Sequence, residues 1–189
     1  ALSIVCRERM CSQQEIMTSA NSIVLPDLSV AVINYNGETT LAPTLRSIYA
    51  LRGVRLAGVL VLDNASTDGS LALLEREFPH TSIHRFPENR GPNPARNEGL
   101  RRAAGDLVLI MDNDIVLDPE YAARLAEVLR RHPEAGAASG QIRLESEPNT
   151  VQYNGIDIHY AGEIAARPPD ARDTAQVSCI SAGAALFDR

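Results

Sequence analysis

From residue 28 onward the chain alternates between two kinds of apolar spacing. Residues 28–33 form a short β-branched run, as expected of a strand covered on both faces, and it stops at Asn34-Tyr35-Asn36-Gly37. Leu41, Leu45, Ile48 and Leu51 then recur at helical spacing, predicting a helix within residues 38–51. The unit repeats, with a strand at 58–62, a polar turn at 63–68 and a helix at 69–78 that turns Leu71, Leu74 and Phe78 inward. A third strand is expected at 82–86. After a loop rich in Pro and Asn at 88–93, residues 94–104 read as a helix with proline in its first turn, stopped by Gly105. Residues 106–111 make a fourth apolar strand. A helix at 119–131 opens on proline and ends in Arg130-Arg131-His132, cations that suit a helix C-terminus. A weaker strand is expected at 135–140. Beyond it the alternation gives way to strand-like pieces at 141–144, 151–160 and 177–187, interrupted by a Pro/Arg/Asp loop near 167–173.

Alternating strands and helices predict an α/β fold: a mostly parallel sheet flanked by helices, with a smaller mixed or antiparallel C-terminal part. Residues 1–27 lack a clear period and read as a tail. Met17 is expected to be a start, which makes residues 1–16 an upstream extension. Residues 28–189 read as one domain. Ligands of such sheets bind at the carboxyl ends of the strands. Three polar clusters fall there: Asn34 to Asn36 after the first strand, Asp63 after the second, and Asp112-Asn113-Asp114 after the fourth.

Composition narrows the function. The 189 residues are 44% hydrophobic and 22% charged, in keeping with a globular chain long enough to bury its own core. A net charge of −6 offers no broad cationic face, which disfavours nucleic-acid binding. No apolar run approaches the ~20 residues of a membrane span, so any membrane association is expected to be peripheral. Three cysteines, Cys6, Cys11 and Cys179, lack metal-ligand spacing and a preceding signal peptide, which points to a reducing cytoplasm. The four histidines are scattered without ligand spacing.

Two carboxylates one residue apart beyond a buried strand can aim into one cavity, where their repulsion favours a cation or proton between them. Hard oxygen donors suit Mn²⁺ or Mg²⁺, ions that keep part of their shell for substrate phosphates. Asp112 and Asp114 are therefore candidate metal ligands; a capping turn before the next helix is the alternative, although Asp118 is better placed to cap it. Asp63 opens Asn64-Ala65-Ser66-Thr67-Asp68-Gly69, which reads either as Asx-turn chemistry or as a site for a base or ribose. Neither G-x-G-x-x-G after the first strand nor G-x-x-x-x-G-K-[ST] occurs, which disfavours a dinucleotide-dependent oxidoreductase. Phosphate charge must then be met by a carboxylate-held cation, with Arg90 or Arg96 as further candidates.

Together these residues resemble family 2 glycosyltransferases of the GT-A fold over nearly all of the chain from Leu28. Ser29-Val-Ala-Val-Ile-Asn-Tyr-Asn36 is similar to the family's opening strand, and Val61-Leu62-Asp63-Asn64-Ala65-Ser66-Thr67-Asp68-Gly69-Ser70 to its nucleoside-binding turn. Asn89-Arg90-Gly91 through Ala95-Arg96-Asn97-Glu98-Gly99 resembles a third signature, and Asp112-Asn113-Asp114 takes the D-x-D position. Gln152-Tyr153-Asn154-Gly155-Ile156 resembles a rhamnosyltransferase-like branch, which favours a deoxysugar donor.

The resemblance implies transfer of a sugar from a UDP-, dTDP- or GDP-linked donor to a glycan, lipid-linked or protein acceptor, with inversion. It implies that Asp63 bonds the base, that Asn34, Tyr35 and Asn36 line the nucleoside pocket, and that Asn89, Arg96 and Asn113 join the donor site. Asp112 and Asp114 would hold sugar, ribose and Mn²⁺ or Mg²⁺, with Asp114 the more direct ligand. It also implies a cytoplasmic enzyme of cell-wall or polysaccharide synthesis, at the inner face of the membrane. The family's general base lies downstream of the segment similar to Ser181-Ala182-Gly183-Ala184-Ala185-Leu186-Phe187, so it is expected beyond Arg189 in a chain truncated at its C-terminus. Asp188 is not given that role. The alternative to a transferase is a non-catalytic nucleotide-binding module that lacks the base.

Overall fold

The computed structural model describes residues 2–4, 25–158, 164–168, 175–177 and 179–189. Its centre is a six-stranded sheet. Four parallel strands, β2 (Asp27–Asn34), β3 (Arg55–Asp63), β4 (Ser82–Arg85) and β5 (Leu107–Asp112), are joined by β7 (Ala137–Ala138) and β12 (Ala184–Asp188). The order across the sheet is β4-β3-β2-β5-β12-β7, with β12 antiparallel to both β5 and β7.

Four helices cover this sheet: α1 (Leu41–Tyr49), α2 (Ser70–Glu77), α3 (Pro92–Arg102) and α4 (Tyr121–Arg131). The continuous apolar runs of β2 and β5 are explained by two packed faces. Leu28, Val30 and Val32 of β2 and Leu107, Leu109 and Met111 of β5 join Leu45 of α1, Leu74 of α2 and Leu125 of α4 in one cluster. The intervening Ala31, Ile33, Val108 and Ile110 face α3 through Ala95 and Ala103. Alternation with a period of two thus buries every position, and each large side chain contributes roughly 1.5–3 kcal/mol. Gly99 lets α3 lie close to the sheet, because a Cβ there would stand 2.7 Å from that of Ala31.

The smaller part is made of short strands. A four-stranded sheet runs β6 (Ile115–Leu117), β1 (Leu2–Ile4), β8 (Ile142–Leu144), β9 (Val151–Tyr153), and β10 (Ile156–Ile158) pairs antiparallel with β11 (Ile164–Ala166). Residues 2–4, expected within a tail, therefore form a strand, parallel to β6 and antiparallel to β8. Cys6, Cys11, Met17 and His159 lie outside the described residues.

Several boundaries move for local reasons. Gly37 to Thr40 make a turn before α1, with Thr40 N and Leu41 N both donating to Gly37 O, so the helix starts later than residue 38. Asp118 Oδ1 accepts from Glu120 N at 2.9 Å, and Pro119 precedes rather than opens α4. The strand expected at 135–140 shrinks to two residues, and that at 177–187 to β12. Among the described residues no helix is long and apolar enough to cross a membrane.

Candidate functional site

β2 sits between β3 and β5, so the connection through α1 leads to one side and the crossover through α3 returns the chain to the other. Strand order reverses at that point, where open α/β sheets form a crevice outside the carboxyl ends of their strands. Register brings the polar ends level: Asn34 pairs with Asp63, and Ile33 with Asp112.

The crevice is a cleft of about 320 Å³ lined by Ile33, Tyr35, Asn64, Asn89, Gly91, Pro92, Arg96 and the Asp112-Asn113-Asp114 turn. Arg96 crosses to it from the second turn of α3. Its Nη2 donates to Asp112 Oδ1 at 2.8 Å and Oδ2 at 3.1 Å, and Nη1 donates to Asn93 Oδ1 at 3.2 Å. Its Nε is buried, with no hydrogen-bond partner among the described residues. Burial pushes the Asp112 carboxyl above the ordinary carboxylate range; Arg96 opposes that rise, and the nearby charge of Asp114 adds to it. Asp114 differs: among the described residues its carboxylate accepts no hydrogen bond and makes no ion pair.

Behind the cleft lies a buried polar network. Asn34 and Asp63 are both 0% exposed. Asn34 Nδ2 donates to Asp63 Oδ1 at 2.9 Å and to Ser66 Oγ at 3.1 Å, while its Oδ1 accepts from Asn113 Nδ2 at 2.6 Å. Asp63 Oδ2 accepts from Ser66 N at 3.1 Å and stands 3.5 Å from Arg85 Nε. That guanidinium balances a carboxylate which burial alone would penalise. Asn36 holds the same loops together, its N–H donating to Ser66 Oγ and its Oδ1 accepting from Thr67 N, both at 2.9 Å.

Tyr35, Asn89, Arg96, Asp112, Asn113 and Asp114 thus meet at the cleft, whereas Asn34, Asn36 and Asp63 form the scaffold behind it. Arg90 points elsewhere, 3.4 Å from Glu88 and largely exposed. Asp188 pairs with Leu107 at the amino end of β5, on the edge of the sheet away from the cleft.

Three contributors were not legible as site residues. Asn64 lines the cleft and donates from Nδ2 to Asn89 Oδ1 at 2.9 Å and Gly91 O at 3.0 Å, while its Oδ1 accepts from Arg90 N. It sits inside the run read either as turn chemistry or as a base or ribose site, where Asp63 rather than Asn64 is the candidate, and its partners are some twenty-five residues away. Thr44, within an apolar helix pattern, donates to Asn113 O at 2.9 Å. Gly37 must lack a side chain, since a Cβ there would overlap both Asn113 Nδ2 and Asn34 Oδ1.

The donor set fits a hard divalent cation. Asp114 offers an unpaired, half-buried carboxylate, and Asp112 beside it is half-buried as well. Among the described residues no group of three or more His, Cys, Asp and Glu side chains gathers, so side chains of these types would supply at most two ligands here, and an ion would need the rest of its shell from elsewhere.

The profile described as Glycosyl transferase family 2 matches residues 29–189. The chain belongs to that family. This family 2 chain is 31% identical over 140 residues to the succinoglycan biosynthesis protein ExoO of Rhizobium meliloti (strain 1021), covering 74% of this chain and 38% of that protein. It is 32% identical over 141 residues to an N-acetylglucosaminyltransferase of Mesorhizobium japonicum, covering 71% of this chain and 33% of that protein. The glycosyltransferase domain described here therefore spans about a third of the length of these curated relatives.

Among solved structures, the mannosyltransferase PcManGT of Pyrobaculum calidifontis, in complex with GDP-Man and Mn²⁺, superposes with a TM-score of 0.54 at 31% identity, covering 62% of this chain and 36% of that one. TarS 1-349 of S. aureus in complex with UDP superposes at 0.52 with 27% identity, covering 59% and 34%. The fold of this family 2 chain is that of the GT-A glycosyltransferases.

Proposed function

We propose that this chain is the donor- and metal-binding part of an inverting, metal-dependent glycosyltransferase acting in polysaccharide or other glycan synthesis. The observation that carries the reading is the open Asp114 carboxylate in a cleft at the strand-order reversal, beside an Arg96–Asp112 pair. A nucleoside diphosphate needs both a counter-charge and hydrogen-bonding partners, and Arg96, Asn64 and Asn89 in the cleft lining are groups of both kinds.

In this reading Asp114 is the direct ligand of Mn²⁺ or Mg²⁺, with Asp112 shared between that ion and Arg96. Arg96 can trade one of its carboxylate bonds for a phosphate oxygen, since a guanidinium fork bonds either group bidentately. Tyr35 and Asn64 flank the nucleoside, and Asp63 and Asn34 hold the strand ends at the spacing it requires. When bound, the cation would neutralise the diphosphate as it departs. No general base is assigned among the described residues. Asp188, level with Leu107 at the amino end of β5 and so at the opposite end of the strands from the cleft, is not given that role. The mannosyltransferase neighbour's GDP-Man and Mn²⁺, and the UDP of TarS, support a nucleotide-linked sugar as the donor.

Calorimetric titration of the chain with UDP, dTDP and GDP, each with and without Mn²⁺, tests the proposal. At least one diphosphate should bind more tightly with Mn²⁺, and Asp114→Ala should remove that gain while leaving the protein folded. Binding of none of the three, or an Asp114→Ala variant that keeps the full Mn²⁺ effect, would sink it.

A further inference from the structure

One side chain bonds both Asp63 and the Asp112-Asn113-Asp114 turn. Asn34, at the carboxyl end of β2, uses its whole carboxamide inside the protein: two donations, to Asp63 and Ser66, and one acceptance, from Asn113. The direction of this chain of bonds is fixed at its start. Asp63 receives Asn34 Nδ2, Ser66 N and the nearby Arg85, so it acts as an acceptor and turns the amide nitrogen of Asn34 toward itself. Asn34 Oδ1 must then face the other way, where it can only accept, and Asn113 answers with Nδ2 at 2.6 Å. Asn113 Oδ1 is left as an acceptor without a partner among the described residues, on a residue that lines the cleft.

Asn113 lies between Asp112 and Asp114, and its carbonyl is held separately by Thr44 Oγ1 at 2.9 Å. The tip of the turn therefore has two tethers, one to α1 and one to the β2–β3 strand ends. Gly37 leaves the space in which the second tether forms, because any Cβ there would overlap both of its atoms. The alignment is a matter of topology as well. Among the described residues β2 is the strand hydrogen-bonded to both β3 and β5, so a side chain at its end is level with both carboxylate turns.

We infer that Asn34 is a positioning residue that couples nucleoside recognition to cation recognition, by making the aim of the Asp112-Asn113-Asp114 turn depend on the placement of Asp63. This inference rests on the donor-site reading above and deepens it. A nucleoside seated against Tyr35 and Asn64, the neighbours in sequence of Asn34 and Asp63, tightens the Asn34 bonds, draws Asn113 into register and presents Asp114 to the cation. By reciprocity the cation raises affinity for the nucleoside by the same factor.

The test uses a nucleoside rather than a nucleotide. It lacks the phosphates that would bridge a nucleotide to the cation, and the variants below separate an effect carried by the Asn34 bonds from one carried by the ribose. Mn²⁺ affinity of the chain is measured by electron paramagnetic resonance, with and without saturating uridine, thymidine or guanosine. In the wild type the recognised nucleoside should tighten Mn²⁺ binding by roughly 5-fold or more. In Asn113→Leu, which breaks the chain of bonds one link beyond Asn34, the tightening should fall below about 2-fold, whatever the variant's own affinity for each ligand measured alone. Asn34→Leu should lose it too. Thr44→Val, which removes the other tether of Asn113 together with the Thr44 bond to Thr40 O at the start of α1, should keep it, and this separates coupling from mere loosening of the turn.

The inference is overturned if Asn113→Leu retains the wild-type tightening, if Thr44→Val abolishes it equally, or if the wild type binds both ligands with no tightening. A wild type that binds neither Mn²⁺ nor any nucleoside overturns the donor-site reading itself, and with it the coupling.

Discussion

Arg96 and Asp112 meet across the gap between α3 and the end of β5, with one guanidinium nitrogen within hydrogen-bond reach of both carboxylate oxygens. The pair makes opposite demands on two ligands. Arg96→Met would leave Asp112 and Asp114 as neighbouring carboxylates without a counter-ion, so Mn²⁺ alone should bind a few-fold more tightly. The same change removes the charge that meets phosphate, so nucleoside diphosphate affinity should fall by roughly 10-fold or more, a loss of about 1.4 kcal/mol or greater. Titrations with Mn²⁺ and with the diphosphate, run in parallel, read the two signs.

Two carboxylates should shift acid stability in opposite senses. Glu127 is held down to about 2, chiefly by its hydrogen bond to Arg130 and then by Arg131. Its contribution is present above the ordinary glutamate value of about 4.3 and is lost as pH falls through about 2. Asp112, raised by burial, contributes stability below the ordinary aspartate value of about 3.9 that is lost as pH rises through its higher folded value. Denaturant unfolding across acid pH should show Glu127→Gln flattening the first slope and Asp112→Asn the second. The Glu127 effect should stay below about 1 kcal/mol and shrink in high salt, since its side chain is 40% exposed.

Gly37→Ala should damage the cleft more than the fold. The new methyl would overlap the Asn34–Asn113 bond, forcing the Asp112-Asn113-Asp114 turn to shift at a cost of about 1–3 kcal/mol. Diphosphate binding should weaken by more than the change in unfolding free energy accounts for. Equal losses in both measurements would show that the glycine serves only packing.

Leu45→Ala supplies the contrast. Leu45 is fully buried between α1 and the sheet, so its truncation should cost about 2–5 kcal/mol in chemical denaturation. At a temperature where the variant remains folded, its affinity for Mn²⁺ and diphosphate should match wild type.

The parallel strands were readable because β2 and β5 bury both faces, which writes an uninterrupted apolar run into the chain. β6 was not, since three residues after a polar turn carry too little period and its partner strand, β1, is remote in sequence. The D-x-D turn was legible as two charges at a strand end. That Arg96 occupies one of them was not, because the pairing arises only when α3 crosses the sheet and returns to β5. Asp63 was visible as a polar residue where a strand stops, but its complete burial depends on Asn34, Ser66 and Arg85, which reach it from other segments. Single-residue polarity reveals where chemistry can occur; it does not reveal which groups already satisfy one another.

The placement of β12 has a consequence for how the molecule is made. β5 has β2 along one side from early in synthesis, but its other side is closed only by Ala184 to Asp188, emerging much later. Until then its run of Leu107 to Met111 is an uncovered apolar border with unmet backbone donors and acceptors, open to pairing with another chain. Newly made polypeptides that stop short of β12 should accordingly be sticky, and closing that seam should be among the slower steps in reaching the native state.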